Sequence, residues 1–226
     1  MIQTKKLVKT FKTGDVLTPV LKSIDFQARE GEWVAIMGRS GAGKSTLLYQ
    51  MSLLDDPTSG DVIIDGENTH TMSAGEKMSF RLLKFGFVFQ DYALLPELTA
   101  LENVALPLLM QGLLKTESYK KSVAALERAG LSHRINNLPS QLSGGEQQRV
   151  SIVRAVAHNP KILFADEPTA NLDNESSKRI MEIFTELHRK GQTIIMVTHE
   201  EQYAKLAGRT VYIDDGKIVS PPVHAL

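Results

Sequence analysis

Hydrophobic and polar residues alternate in the first thirty positions of the chain, a spacing that is typical of β-strands. Alternation at residues 2–11 and 20–28, with Thr13-Gly14-Asp15 between them, predicts two strands and a turn. Short apolar runs predict further strands at residues 33–37, 60–65, 86–89, 162–165, 193–198, 210–213 and 217–219. Because helical patterns separate several of these runs, we expect a mainly parallel sheet with helices on both faces.

Apolar residues recur at helical spacing in the middle of the chain. Helices are predicted at residues 44–54, 101–110, 117–129, 143–157, 175–189 and 201–206. Residues 91–159 are interpreted as a helical subdomain inserted into a core of residues 1–90 and 160–226. The predicted class is α/β, as one domain over residues 1–226, with a mixed, mainly parallel sheet and a flanking antiparallel sheet. Residues 221–226 are expected to form a loose tail.

Composition limits the classes of function. The 226 residues are 42% hydrophobic, which is enough for a sizeable core. The 26 basic residues balance the 26 acidic ones, which argues against a dedicated nucleic-acid binder. There are no cysteines, so thiol nucleophiles and disulfides are excluded. No segment approaches the roughly 20 apolar residues of a membrane span, so we expect a soluble chain that reaches a membrane only through a partner.

A glycine-rich segment, GRSGAGKS at residues 38–45, lies between a predicted strand and a predicted helix. Glycines let the backbone wrap closely around a phosphate, and the start of the helix adds the positive end of its dipole. Lys44 supplies a charge for the outer phosphates and Ser45 a hydroxyl ligand for Mg²⁺. The predicted contacts to the nucleotide come from Gly38, Arg39, Ser40, Gly41, Ala42, Gly43, Lys44, Ser45 and Thr46. This order of strand, loop and helix predicts a P-loop nucleotide-binding core.

Two carboxylates, Asp166 and Glu167, follow the apolar strand at residues 162–165. In a parallel sheet, the carboxyl end of a strand faces the ligand crevice. Asp166 is therefore predicted to hold Mg²⁺, and Glu167 to orient or deprotonate an attacking water. The alternative is that both are solvated acids at a strand end.

A second phosphate-binding end is predicted at Ser143, Gly144 and Gly145, which open a helix. This motif could be a helix cap alone. Two glycines in the first turn are unfavourable for a helix, however, and they make sense if a ligand approaches the backbone closely. Because this helix belongs to the inserted lobe, we expect it to contact nucleotide held by a second copy in a twofold dimer.

Single residues add to this set, each with a plainer alternative. Gln90 ends a strand and could reach Mg²⁺ or water, or could be an ordinary strand-end amide. His199 could donate to the γ-phosphate, or be structural. Phe11 could stack on adenine, or belong to the core. Residues 171–173 could form an interface loop that ends in Asp173, or an ordinary turn.

The order of these motifs resembles that of the ATP-binding cassette (ABC) ATPases. In that resemblance, residues 38–45 correspond to the Walker A loop, Gln90 to the Q-loop, and residues 142–146 to the family signature, in which Glu146 replaces a glutamine. Asp166 corresponds to Walker B, and residues 171–173 to the D-loop. The resemblance implies ATP and Mg²⁺ as ligands. It implies Glu167, His199, Lys44 and Gln90 as catalytic residues, Ser45, Gln90 and Asp166 as metal ligands, and Phe11, Ser143, Gly144, Gly145, Glu146 and Asp173 as further nucleotide contacts.

Within that family, residues 98–104, 142–149 and 165–173 resemble the LolD/MacB lipoprotein-release and macrolide-export subfamily. The resemblance implies a homodimer on ATP binding and an integral membrane permease that docks near residues 90–98. It also implies a cytoplasmic protein that is peripheral to the membrane. Two alternatives remain open: a cytosolic cassette that acts on nucleic acid or ribosomes, and an FtsE-like regulator of cell-wall hydrolases.

Overall fold

The computed structural model describes residues 1–220, so the expected tail at residues 221–226 lies outside them. The chain forms two compact units. The first contains Met1–Met78 and the residues from Gly191 onward, and the second contains Ser79–Lys190. The predicted subdomain boundaries at residues 91 and 159 both lie inside the second unit, which also contains the neighbouring strands.

An antiparallel sheet forms one part of the first unit. Its strands are β1 (Ile2–Thr13), β2 (Val16–Ala28), β4 (Ser59–Ile64) and β5 (Glu67–Asn68), in the order β2-β1-β4-β5. The predicted turn at Gly14 joins β1 to β2, and Gly14 has a φ of 60° that favours glycine. This sheet confirms the predicted antiparallel flank. The strand β2 begins earlier than expected, because it extends the hairpin beyond the strictly alternating residues.

Parallel strands form the other part of the first unit. Strand β3 (Trp33–Met37) pairs in parallel with β8 (Thr193–Val197) and β9 (Arg209–Asp214), and β10 (Lys217–Val219) runs antiparallel to β9. Every residue of β3 and β8 is buried, as their continuous apolar sequences predict. The helices of this unit include α1 (Lys44–Met51) directly after β3 and α7 (Glu201–Ala204) after β8.

The second unit combines a parallel strand pair with helices. Strand β6 (Phe85–Val88) pairs with β7 (Ile162–Asp166). The helices are α3 (Ala100–Met110), α4 (Lys115–Arg128), α5 (Gly144–Val156) and α6 (Asn174–Arg189). Helices α3, α4 and α5 enclose a buried apolar cluster that includes Val104, Leu126 and Val150. This core explains the helical spacing of the sequence, since each helix contributes one apolar face to it.

A short helix, α2 (Ala74–Lys84), was not predicted from the sequence pattern. Its apolar residues, such as Met78 and Leu82, recur at helical spacing, although all of its residues are exposed or partly exposed in the structure. Its start is fixed locally, because Ser73 donates to the Glu76 carboxylate from both its backbone N–H and its hydroxyl, each at 2.7 Å. The helix α2 contains the boundary between the two units.

Candidate functional site

The glycine-rich loop connects β3 to α1 in the first unit. Gly38 has a φ of 156°, and a Cβ there would lie 2.1 Å from the carbonyl oxygen of Ile213. Gly43 has a φ of 102°, and its Cβ would meet Val20 and Leu21 at 3.0 Å. Neighbouring β-strands therefore approach the loop so closely that larger residues are excluded at both positions. The loop keeps the tight shape that the sequence predicts.

Lys44 begins α1 and folds back over the loop. Its side chain is buried, and its ammonium donates to the carbonyl oxygens of Gly38 at 3.0 Å and Arg39 at 3.1 Å. The first turn of α1 contains no acidic residue, and Gly43 at the N-cap makes no side-chain cap hydrogen bond. The loop thus combines a fixed cation with the start of a helix, an arrangement that fits phosphate. Ser45 and Thr46 are partly buried in the same turn.

Two other predicted residues of the first unit are accessible. Phe11 lies near the end of β1, is 43% exposed and has the Lys9 ammonium 4.9 Å from its ring centroid. An exposed ring on a strand is suited to stacking on a flat ligand.

His199 is exposed in the turn after β8, where the hydroxyl of buried Thr198 accepts a hydrogen bond from the Glu200 N–H at 3.1 Å. This contact fixes the backbone that carries the imidazole.

The carboxylates lie at the end of β7 in the second unit. Asp166 is the last residue of the strand and is 4% exposed. Glu167 follows with a φ of 45°, a left-handed conformation that is unfavourable for glutamate. Such strain is retained where the surrounding structure holds a residue in place, and it often marks a functional site. The backbone therefore turns sharply between the predicted metal ligand and the predicted base.

The signature segment opens α5 with a capping box. Ser143 is the N-cap, its hydroxyl accepts from the Glu146 N–H at 3.3 Å, and the Glu146 carboxylate accepts from the Ser143 N–H at 2.8 Å. Ser143 itself is exposed. The predicted serine cap is confirmed, and the accessible hydroxyl can still donate its proton to a ligand.

The two glycines of the signature also pack against other residues of the second unit. A Cβ on Gly144 would lie 2.9 Å from the Tyr92 hydroxyl, and one on Gly145 would lie 2.8 Å from the Ser176 hydroxyl. Close packing within the chain is thus a second reason for these glycines, besides the approach of a ligand that the sequence predicts.

Glu146, a predicted nucleotide contact, has its carboxylate bound within the chain. Besides the Ser143 N–H, it accepts from Arg134 Nε at 2.8 Å, and His133 Nε2 lies 3.7 Å away. Burial raises the pKa of Glu146, but the hydrogen bonds from Ser143 and Arg134 outweigh this effect and lower it to about 2. The carboxylate is therefore charged at neutral pH, and its role as a nucleotide contact stays a prediction.

Asp173, another predicted contact, caps α6. One carboxylate oxygen accepts from the N–H groups of Glu175 and Ser176, at 3.0 and 2.9 Å, and the other accepts from the Ser176 hydroxyl at 2.8 Å. The backbone bond from Ser176 is the main cause of a lowered pKa of the Asp173 carboxyl. Asp173 thereby holds the serine against which Gly145 packs, so the signature and the segment at residues 171–173 are brought together.

The segment after β6 is held by Asn171, which belongs to the predicted interface loop, and by Gln148, which was not predicted as functional. Asn171 Nδ2 donates to the carbonyl oxygen of Gln90 at 3.0 Å. Buried Gln148 donates to the carbonyl oxygens of Pro168 at 2.6 Å and Phe89 at 3.5 Å. The only sequence signal for Gln148 is a long polar side chain on the apolar face of a helix, where a glutamine needs a specific partner.

In the part of the chain that the structure describes, no helix is long and apolar enough to cross a membrane. Nor do residues 1–220 contain a group of three or more His, Cys, Asp or Glu side chains that could hold a metal ion. Mg²⁺ usually takes only one or two protein carboxylates and completes its shell with phosphate and water. A single carboxylate at the end of a strand, as at Asp166, fits that mode of binding.

Comparisons with known proteins place the chain among established relatives. The ABC transporter family model matches residues 21–170. The lipoprotein-releasing system ATP-binding protein LolD of Geobacter metallireducens is 45% identical over 221 residues, which are 97% of this chain and 98% of LolD. The macrolide export ATP-binding/permease protein MacB of Brucella melitensis is 44% identical over 220 residues. That match covers 97% of this chain, and the chain spans only 34% of MacB.

A solved structure is also similar to this chain over nearly its whole length. The ATP-binding cassette MJ0796, in a dimeric post-hydrolysis state bound to ADP and Pi, is 41% identical and has a TM-score of 0.91. The match covers 97% of both chains. These findings confirm the predicted fold class, a P-loop ATPase core with a flanking antiparallel sheet and helices. The chain belongs to the ABC transporter family.

Proposed function

We propose that this chain is the ATP-hydrolysing subunit of a membrane transport or mechanotransmission system of the LolD/MacB type. The observation that carries the proposal is that one chain has two helix starts suited to an anion, at α1 with Lys44 and at α5 with exposed Ser143. Near-complete alignment with LolD and with the dimeric cassette MJ0796 supports it. Two copies bind two Mg²⁺–ATP between them, and hydrolysis allows them to separate.

The phosphates and the metal are held by residues from three segments of each copy. Lys44 and the loop N–H groups bind the β- and γ-phosphates, and Ser45 and Asp166 bind Mg²⁺ directly or through water. Gln90 contacts the metal or the attacking water. The loop geometry supports this assignment, because Lys44 is already buried and oriented across the loop.

The hydrolytic step rests on Glu167, which orients the water and accepts its proton as the water attacks the γ-phosphate, the bond to the β–γ bridging oxygen breaks and ADP leaves. His199 donates a hydrogen bond to the γ-phosphate. The exposed ring of Phe11 stacks on adenine. Mg²⁺ neutralises charge on the phosphate oxygens when it is bound, while these side chains position the water and the nucleotide.

The second copy completes each site. The Ser143 hydroxyl and the Gly145 N–H of one copy contact the γ-phosphate that is bound by the other. Asp173 lies in the interface loop, residues 171–173, at which the two copies meet. The exposure of Ser143 at the start of α5 supports this arrangement, because an incoming phosphate can reach its hydroxyl.

The partner is an integral membrane permease that docks near residues 90–98, on the cytoplasmic face of the inner or plasma membrane. Leu95 in this segment is 43% exposed, and an exposed leucine is suited to packing against a helix of a partner. The substrate class is a lipoprotein, lipid, peptide or drug that is extruded from the membrane or the cell, as the names of LolD and MacB suggest.

Light scattering on purified chain tests the composite site. With Glu167→Gln, which slows hydrolysis, we expect ATP and Mg²⁺ to convert monomers to dimers. Adding Ser143→Arg should block this dimer, while calorimetry still detects ATP binding to the monomer. A Ser143→Arg protein that dimerises normally would refute the composite site, and Ser140→Arg, on an exposed residue outside the signature, is the matched control.

A further inference from the structure

The start of α5 carries a negative charge where the proposed function requires it to accept another anion. The Glu146 carboxylate accepts from the Ser143 N–H at 2.8 Å, so it lies beside the residue that is proposed to contact a γ-phosphate of the second copy. A carboxylate beside a phosphate-binding residue repels an incoming triphosphate unless a cation compensates it. A glutamine at this position could accept the same hydrogen bond through its amide oxygen without bringing a charge.

The compensating cation is identified by the contacts of Glu146. Arg134, at the end of the 3-10 helix Ser132–Arg134, donates from Nε to the Glu146 carboxylate at 2.8 Å. The Glu146 side chain is 11% exposed and that of Arg134 is 37% exposed, so this pair lies at the edge of the protein rather than fully in solvent. His133 Nε2 is 3.7 Å from the same oxygen, and Arg149 on α5 interacts with Glu146 electrostatically.

The geometry points to Arg134 as a positioning residue for the signature: it neutralises Glu146 and holds it on the Ser143 N–H, so that α5 accepts the γ-phosphate bound by the second copy. This inference rests on the proposed composite site and adds a residue to it. Arg134 acts through Glu146 and does not itself contact nucleotide. Its partner in this role is the glutamate, so the need for Arg134 should vanish when residue 146 is neutral.

The test compares four proteins, each of which also carries Glu167→Gln so that ATP-bound dimers accumulate. They are the parent, Arg134→Gln, Glu146→Gln and the double variant Arg134→Gln/Glu146→Gln. Glutamine at 134 keeps a hydrogen-bond donor and removes only the charge, which limits damage to the fold. Light scattering measures the ATP concentration that gives half-maximal dimer. The buffer has low salt, which limits screening, and pH 8, above the ordinary pKa of histidine.

We expect Arg134→Gln to raise that ATP concentration roughly tenfold, the effect of an uncompensated carboxylate near the phosphate. The double variant should return to within about threefold of the parent, because no charge is left to compensate. Arg134→Lys should retain most of the parent behaviour. Binding of a fluorescent ATP analogue to the monomer should stay unchanged in Arg134→Gln, since Arg134 acts only on the signature, which contacts nucleotide held by the other copy.

A purely structural ion pair predicts a different pattern, in which the double variant is at least as impaired as Arg134→Gln. That result would overturn the inference, as would a normal ATP requirement in Arg134→Gln. If Arg134→Gln does not fold, Glu146→Gln and the double variant decide: requirements within about threefold of the parent in both support the inference, and a requirement raised roughly tenfold in either overturns it. A parent that fails to dimerise with ATP would refute the composite site itself, and this inference with it.

Discussion

The guanidinium of Arg154, in the last turn of α5, donates a hydrogen bond of 2.6 Å to the carbonyl oxygen of Ala93. A second bond of 3.0 Å goes to the carbonyl oxygen of Tyr92. Both acceptor residues are left-handed, with φ of 65° for Tyr92 and 47° for Ala93, a conformation that is unfavourable for these side chains. The helix that begins at the signature therefore ends on the segment where we propose that the permease docks.

Replacing Arg154 should destabilise the second unit. Burial lowers the pKa of Arg154 to about 10, so the side chain is still charged at neutral pH and both bonds are charge-assisted. Arg154→Met should lower the free energy of unfolding by about 2–3 kcal/mol, as measured by urea denaturation. Arg189→Met, at an exposed arginine of α6, should change it by less than about 0.5 kcal/mol. Equal effects of the two substitutions would show that the hydrogen bonds from Arg154 to Tyr92 and Ala93 do not stabilise the fold.

Lys44→Ala should weaken nucleotide binding, because it removes the fixed ammonium from the phosphate loop. The loop also loses two hydrogen bonds, to the carbonyl oxygens of Gly38 and Arg39. Calorimetry with a non-hydrolysable ATP analogue should show a loss of affinity of roughly tenfold or more. Lys205→Ala, on an exposed lysine after α7, should bind normally. Normal affinity in Lys44→Ala would contradict the assignment of the phosphate site.

Glu167→Gln should slow ATP hydrolysis by roughly 10²-fold or more, the scale expected when a general base is lost. ATP binding should persist, because glutamine retains the shape of the side chain. Steady-state phosphate release measures the rate, and Glu182→Gln on the exposed face of α6 is the control. Unchanged turnover would remove Glu167 from the catalytic role.

Gly145→Ala should destabilise the chain through a steric contact. The added methyl group would lie 2.8 Å from the hydroxyl and 3.1 Å from the Cβ of Ser176, so one of them must move. Thermal unfolding should report a loss of about 1–3 kcal/mol, and Ser176→Gly in the same chain should recover part of it. Gly75→Ala is the matched control: its Cβ meets nothing within 4 Å, so we expect no loss there.

A fall in pH should destabilise the folded chain, because it protonates the Glu146 carboxylate at the start of α5. The folded pKa of about 2 is below the ordinary 4.5, so the carboxylate stabilises the folded state above pH 4.5, and this contribution is lost as the pH falls toward 2. After solvent screening we expect a contribution of about 1–2 kcal/mol. Urea denaturation at several pH values should give a shallower acid dependence for Glu146→Gln than for the unmodified chain. Identical pH profiles would contradict the lowered pKa of Glu146 in the folded chain.

Much of the fold follows from local sequence. The apolar strand β3, the apolar residues 162–165 of β7 and the amphipathic helices α4 and α6 were predicted because burial on one or two faces imposes a pattern on the sequence. Helix α2 was not predicted, although its sequence is amphipathic, and none of its residues is buried in the structure. The capping box of Ser143 could be predicted in part, because its partner lies three residues away.

By itself, the sequence determined the local chemistry of this protein: a glycine loop with Lys44, two carboxylates after a buried strand, and a serine that starts a helix. Only the tertiary structure decided which distant residues hold that chemistry in place. Three such contacts join separate elements: Arg134 with Glu146, Arg154 with Ala93, and Ser176 with Gly145. Periodicity and spacing report how a segment meets solvent and its own neighbours, whereas the partner of a long polar side chain depends on how the elements pack.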